Sequence, residues 1–139
     1  MTDDSAETSA RPQPPVLVSV CVTCRASPEE TEVRAGTRMY EAVRDAIDFA
    51  GAEVRPVQCL GVCKRPATVS VTAPGGYTFV FGDLNPETGA DALATFVRAY
   101  AAADYGYVPW RERPKALRGG LVVRIPPPAW SPEDGRPPA

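Results

Sequence analysis

Four cysteines in two close pairs constrain this chain more than any other feature. Cys21 and Cys24 form a C-x2-C pair, Cys59 and Cys63 form a C-x3-C pair, and 34 residues separate the pairs. They are the only cysteines in 139 residues, and the chain has no histidine. Short loops of this kind place two thiolates on one metal ion, so the pairs suit a tetrahedral metal or an iron–sulfur cluster. Packing as small buried hydrophobic residues explains one cysteine easily but four in two pairs poorly.

Length and composition favour a single domain that builds its own core. A chain of 139 residues can bury a sufficient core without metal or disulfide cross-links. The net charge is −2, from 15 basic and 17 acidic residues, which argues against nucleic acid or an anionic membrane as the main partner. Residues 1–15 lack the features of a secretory signal, and no run of 18 apolar residues occurs. We therefore expect a soluble, cytoplasmic protein, in which paired cysteines indicate metal binding or catalysis.

Hydrophobic periodicity predicts four strands and two helices around these pairs. The first three elements are a strand at 16–20 that leads into Cys21, a helix from Thr37 to Gly51, and a strand at 54–58 that leads into Cys59. A hairpin of strands 67–72 and 77–81 follows. The last element is a helix that begins near Asn85 or Thr88 and ends at 104–106. Pro56 cannot donate a backbone hydrogen bond, so the second strand is expected at a sheet edge.

This order predicts an α/β protein with the thioredoxin-like arrangement of β-α-β followed by β-β-α. Both cysteine pairs then follow the carboxyl ends of two parallel strands and meet at one edge of the sheet, where open α/β sheets place their sites. We expect a disordered segment at 1–15, the folded domain at 16–105, and an extended, proline-rich C-terminal arm at 106–139. Within that arm residues 121–125 can add a strand, while Trp110 and Trp130 can pack on the domain or on a second copy in a homodimer.

The run CLGVCKRPATV resembles the second half of the cluster motif in thioredoxin-like [2Fe–2S] ferredoxins and in the small iron–sulfur subunit of respiratory NADH dehydrogenases. Together, CVTC and CLGVCKRP are similar to an uncharacterised bacterial family of predicted metal-binding proteins, domain of unknown function 1636. The resemblance covers about residues 16–105. The ferredoxins have more residues between their first two cysteines than this chain does. Members of the uncharacterised family are often associated with cobalamin-biosynthesis genes, which suggests redox partners in cobalamin-related metabolism.

Carried over by position, the resemblance implies that Cys21, Cys24, Cys59 and Cys63 are the four ligands of one [2Fe–2S] cluster. The first pair would then ligate one iron and the second pair the other. The expected function is transfer of single electrons between partner proteins, without catalysis by the protein itself. The flanking cations Arg25, Lys64 and Arg65 would raise the reduction potential or attract an acidic partner, unless they are ordinary surface charges.

Two other functions use the same cysteines. Four thiolates at these spacings also suit zinc, which would make the protein a structural or metal-handling module. A thiol–disulfide oxidoreductase would place its dithiol where CVTC follows the first strand. That activity needs a helix N-terminus beside the nucleophile, whereas the predicted helix begins at Thr37, well after Cys24, and the second pair would have no role.

Overall fold

A five-stranded sheet with two helices packed on it organises the computed structural model, which describes residues 16–23, 34–48, 51–61, 67–85 and 88–128. The elements in chain order are β1 (Val16–Cys21), α1 (Ala35–Ala46), β2 (Ala52–Val57), β3 (Val69–Thr72), β4 (Thr78–Phe81), α2 (Gly89–Ala102), α3 (Lys115–Arg118) and β5 (Leu121–Ile125). Single 3-10 turns lie at Asp104–Gly106 and Trp110–Glu112. No helix in these ranges is long and apolar enough to cross a membrane.

The sheet has the order β2-β1-β3-β4-β5. β1 and β2 are parallel and joined through α1, while the remaining neighbours are antiparallel. In the parallel register Cys21 lies opposite Val57, so the carboxyl ends of the first two strands lie at the same edge. This is the predicted β-α-β and β-β-α order, and Pro56 lies on the edge strand β2 as expected.

Alternating β-branched and aromatic residues build the core on one face of the sheet. Val18, Val71 and Phe79 are fully buried, and they belong to one cluster with the buried faces of α1 and α2. The ring of Phe96 in α2 meets those of Phe79 and Phe81 edge-on, with centroid distances of 5.0 Å to each. Such aromatic pairs stabilise a core beyond what the burial of their surface area contributes. The packing of the helices therefore holds the sheet in position, including the edge where β1 and β2 end.

The first helix starts two residues before its predicted start at Thr37, whereas the second starts where predicted, directly after Thr88. α1 begins at Ala35, and the hydroxyl of Thr37 donates to the carbonyl of Val22 at 3.3 Å, so it does not cap the helix. α2 begins at Gly89, and the preceding Thr88 makes no side-chain capping hydrogen bond. α1 also ends at Ala46, before the predicted stop at Gly51.

The segment after α2 returns to the sheet and extends it. Residues 121–125 form the fifth strand, pairing antiparallel with β4, which confirms the strand predicted there. Before it, a 3-10 turn and α3 were not predicted, and Val108 and Leu117 are buried in the core. This part of the predicted arm therefore packs on the domain. The predicted disorder of residues 1–15 and the last residues of the arm, 129–139, lie outside the described residues, and the division at residue 106 stays a prediction.

Candidate functional site

Cys21 is the last residue of β1 and lies at the edge of the core. The β-branched run before it forms a buried central strand, and only 1% of Cys21 is exposed. Its backbone N–H donates to the carbonyl of Thr68 at 3.0 Å, and the next residue, Val22, donates to Val57 at 2.9 Å. The position of Cys21 is therefore set by both neighbouring strands of the sheet.

Cys59 follows the parallel strand β2 by two residues and is exposed. Its sulfur accepts a hydrogen bond from the backbone N–H of Gly61, with an N···S distance of 3.2 Å. Gly61 has a φ of +80°, in the left-handed region that favours glycine, and this conformation turns the chain back towards the sulfur. One backbone amide of the CLGVC turn therefore points at a cysteine sulfur.

The loops after β1 and β2 meet at the carbonyl of Gln58. The Cys21 thiol donates to this oxygen with an S···O distance of 3.8 Å, and the hydroxyl of Thr23 also donates to it. The sulfur of Cys21 and the hydroxyl oxygen of Thr23 are 3.4 Å apart. Because Gln58 immediately precedes Cys59, these contacts tie the two cysteine loops together. We call residues 21–23 and 58–61 the cysteine rim.

The first turn of α1 supports the cysteine rim from the side. Arg34 donates from Nη1 to the carbonyl of Thr23 at 3.1 Å, next to the bond from Thr37 to Val22. Gly36 lies so close that a Cβ at this position would overlap the carbonyl of Cys21 and approach Val22 Cα to 3.0 Å. Sequence reasoning missed the roles of Arg34 and Gly36. Nothing in the local pattern shows that a helix start contacts a loop 11 to 15 residues earlier in the chain.

This packing corrects one premise of the oxidoreductase interpretation. The start of α1 is distant from the first cysteine pair in the sequence, but it is adjacent to the Cys21–Val22 backbone in space. A helix N-terminus carries a partial positive charge that favours thiolate over thiol. The separation along the chain is therefore no argument against an activated thiol on this rim.

Two of the four predicted ligands lie within the part of the chain that the structure describes, and the fold brings Cys21 and Cys59 to the same rim. Cys24 and Cys63 lie outside the described residues, as do the flanking cations Arg25, Lys64 and Arg65. Within the described ranges no three cysteine, aspartate or glutamate side chains form a group that could hold a metal ion.

Comparison with known proteins agrees with this architecture. The family described as "Protein of unknown function (DUF1636)" matches residues 18–127. The chain belongs to this family. The DUF1636 match extends from β1 through β5, so it includes the segment after residue 105 that the motif resemblance left out. No curated protein matches the chain.

Among solved structures, the chain is similar to a thioredoxin-like [2Fe–2S] ferredoxin from Aquifex aeolicus. The TM-score is 0.52 at 18% sequence identity, and the alignment covers 84% of this chain and 97% of the ferredoxin chain. The likeness therefore extends over nearly the whole ferredoxin and confirms the predicted thioredoxin-like fold for this DUF1636 protein.

Proposed function

We propose that this protein binds one [2Fe–2S] cluster and carries single electrons between partner proteins. The observation that carries the proposal is the parallel pairing of β1 with β2, which brings Cys21 and Cys59 to one edge of the sheet. Their partners in the sequence, Cys24 and Cys63, follow them by only three and four residues. Short loops of this length can direct both members of each pair at one cluster.

The donor set fits such a group. Four thiols and no histidine make an all-sulfur site, which suits iron–sulfur clusters and zinc better than harder metal ions. The N–H of Gly61 already donates to the sulfur of Cys59, and hydrogen bonds of this kind withdraw negative charge from a ligating thiolate. The same bond in a loaded site would raise the reduction potential.

The two sides of the cysteine rim differ in exposure to solvent, and we assign them different roles. Cys21 is buried beneath the first turn of α1, and this side keeps water from the sulfur. Cys59 is exposed, and its side of the rim is open to a partner protein. When bound, a [2Fe–2S] group supplies one-electron oxidation and reduction, so the chain needs no substrate pocket of its own. We propose cytoplasmic redox proteins, including those of cobalamin-related metabolism, as the partners.

The first experiment is an anaerobic purification with a visible spectrum and assays of iron, sulfide and zinc on one sample. We expect a brown protein with about two irons and about two sulfides per chain. Dithionite should bleach the colour and produce an EPR signal from the reduced state. A colourless protein with one tightly held zinc, unchanged when iron and sulfide are offered, would contradict electron transfer and assign a zinc module.

A pair of variants tests the ligand assignment itself. Cys59→Ser should lose most of the bound cluster, because an alcohol is a much weaker ligand than a thiolate. Leu60→Ser makes a similar polar change at the adjacent position without removing a sulfur, and it should keep the iron content and spectrum of the wild type. Equal iron content and identical spectra in Cys59→Ser and the wild type would overturn the assignment.

A further inference from the structure

A second group of chemically active side chains lies at β4 and β5, away from the cysteine rim. Arg124 pairs with Phe79 in the β4–β5 ladder, and the guanidinium of Arg113 lies 5.5 Å from the centroid of the Phe79 ring. Arg124 donates from Nη1 to the hydroxyl of Tyr107 at 2.9 Å, and the Tyr107 ring packs on Tyr77 with centroids 5.5 Å apart. We call Tyr77, Tyr107, Arg113 and Arg124 the arginine–tyrosine cluster.

The sheet register separates this cluster from the cysteines. Phe79 lies opposite Val71, and Val71 lies opposite Val18, three positions before Cys21 on β1. Arg124 is one strand further from β1 than Phe79 is. Strand spacing and rise then place the backbones of Arg124 and Cys21 roughly 15–20 Å apart. The cluster is therefore not a part of the cysteine site.

Arg113 differs from the other members because it is a buried cation that, among the described residues, has a hydrogen-bond partner for only one of its side-chain nitrogens. Only 4% of the residue is exposed. Its Nε donates to the carbonyl of Val108 at 3.0 Å, and Phe79 covers one face of the guanidinium. Within the described ranges the terminal nitrogens, Nη1 and Nη2, donate no hydrogen bond, and no carboxylate pairs with the side chain. Buried polar groups are almost always hydrogen-bonded, and an unpaired buried charge is costly.

The charges of the residues around Arg113 favour the binding of an anion there. Burial lowers the pKa of Arg113, Tyr107 opposes this shift, and the nearby positive charge of Arg124 adds to it; the guanidinium stays charged at neutral pH. Residues 107–125 carry five basic side chains and one acidic side chain. The acidic one, Glu112, is exposed, and neither Arg113 nor Arg124 forms an ion pair with a carboxylate of the described residues. Among the described residues the cluster thus has positive charge without a neighbouring carboxylate.

We propose that Arg113 and Arg124, together with the hydroxyl of Tyr107, bind a small oxyanion of the phosphate or carboxylate type. The terminal nitrogens of Arg113 provide the planar pair of donors that matches two oxygens of such a group. The Tyr107 hydroxyl accepts its hydrogen bond from Arg124, so its own hydrogen can be donated to the anion. The site uses none of the cysteines, so it does not depend on the function proposed above.

The test is calorimetric titration of the purified protein with inorganic phosphate and, separately, with succinate, at one ionic strength held constant with chloride. We expect saturable binding of one of these anions with a Kd of about 1 mM or tighter, and the anion that binds identifies the ligand class. Arg124→Gln should weaken that binding about tenfold or more, because it removes a charge-assisted contact. Arg124→Lys, which keeps the charge but loses the planar fork, should bind with intermediate affinity.

Two further variants keep the result interpretable without substituting the buried Arg113. Tyr107→Phe removes only a hydroxyl and should weaken binding several-fold. Arg111→Gln removes one positive charge from an exposed neighbour of the cluster and should bind the anion as the wild type does. The proposal is overturned if neither anion binds saturably. That result would mean that water, and not an anion, solvates the Arg113 guanidinium. The proposal is also overturned if Arg124→Gln and Tyr107→Phe bind normally, or if Arg111→Gln loses as much affinity as Arg124→Gln.

Discussion

Gly36 shows how one residue determines the distance between α1 and the cysteine rim. A Cβ at this position would overlap the carbonyl of Cys21 and press on the backbone of Val22, and neither backbone group can rotate away. Gly36→Ala should therefore destabilise the protein by about 1–3 kcal/mol, measured by urea denaturation. The matched control is Gly119→Ala, where φ is −85° and nothing lies within 4 Å of the added methyl. The control should change stability by no more than about 0.5 kcal/mol, and equal losses in both variants would contradict the close approach.

Tyr100 is a second single residue with a measurable signature, because its hydroxyl is buried and donates to the carbonyl of Tyr77 at 2.6 Å. Burial raises the pKa of Tyr100 well above its ordinary value, and burial likewise raises that of Tyr77. Folding thus favours the protonated phenol. The resulting stability is present below pH 10 and is lost as the pH rises above it, because the unfolded chain releases the proton first.

The prediction for Tyr100 combines a substitution with this pH dependence. At pH 8, Tyr100→Phe should cost about 1–2 kcal/mol, since it removes a buried hydrogen bond. Above pH 10 the wild type should lose up to about 1.4 kcal/mol per pH unit through Tyr100, so the difference between the two proteins should shrink. Urea denaturation from pH 8 to pH 11.5 measures this difference. A constant difference across the range would contradict the buried, protonated phenol.

At the scale of elements, the first turn of α1 supports the cysteine rim in addition to connecting β1 with β2. Arg34 and Thr37 each donate to a carbonyl in the loop after Cys21. Hydrogen bonds around a metal site hold its ligand loops in place, and their loss commonly weakens metal binding by about 10–100-fold. We therefore expect α1 to influence how long a bound metal is retained.

Arg34→Gln tests this role through the rate at which a chelator removes the metal. Removal should be about tenfold faster than from the wild type, while the free energy of unfolding of the metal-free protein should fall by no more than about 1 kcal/mol. Arg44→Gln is the control on the same helix, because Arg44 is exposed and its 3.5 Å pair with Asp45 is far from the rim. Equal removal rates in Arg34→Gln and Arg44→Gln would show that α1 does not hold the loop.

At the scale of the whole molecule, the core forms without the cysteine site. The buried cluster runs from Val16 on β1 through both long helices to Leu117 on α3, and Cys21 borders this cluster without being one of its hydrophobic members. A domain with such a core does not need a metal to fold, unlike a zinc finger. The metal-free protein should therefore keep its secondary structure.

Chelation followed by far-UV circular dichroism and thermal unfolding tests this independence. We expect an unchanged spectrum at 25 °C and a cooperative transition, with the loaded protein unfolding at a higher temperature because the group binds only the native state. Loss of secondary structure on chelation would contradict an independent core. The same samples with Cys59→Ser serve as a control, since that variant should respond little to the chelator.

The order of strands and helices from β1 to α2 was predictable from the chain because it depends on local pattern. The run before Cys21 is continuously apolar and β-branched, and Pro56 excludes a central position, so strand type and edge position could be read from neighbouring residues. Element order then put both cysteine pairs at the ends of parallel strands. The start of the first helix was less predictable, because the hydroxyl of Thr37 bonds to a loop from another part of the chain.

The sequence by itself determined which residues are apolar, where strands can form and that four sulfurs come in two pairs. Only the tertiary structure decided that α1 starts beside Cys21, that Gln58 joins the two loops, and that Arg113 lies over Phe79 next to Arg124. These contacts join segments that are far apart in the chain. They depend on sheet register and on how helices dock, and periodicity within a single element carries no information about either.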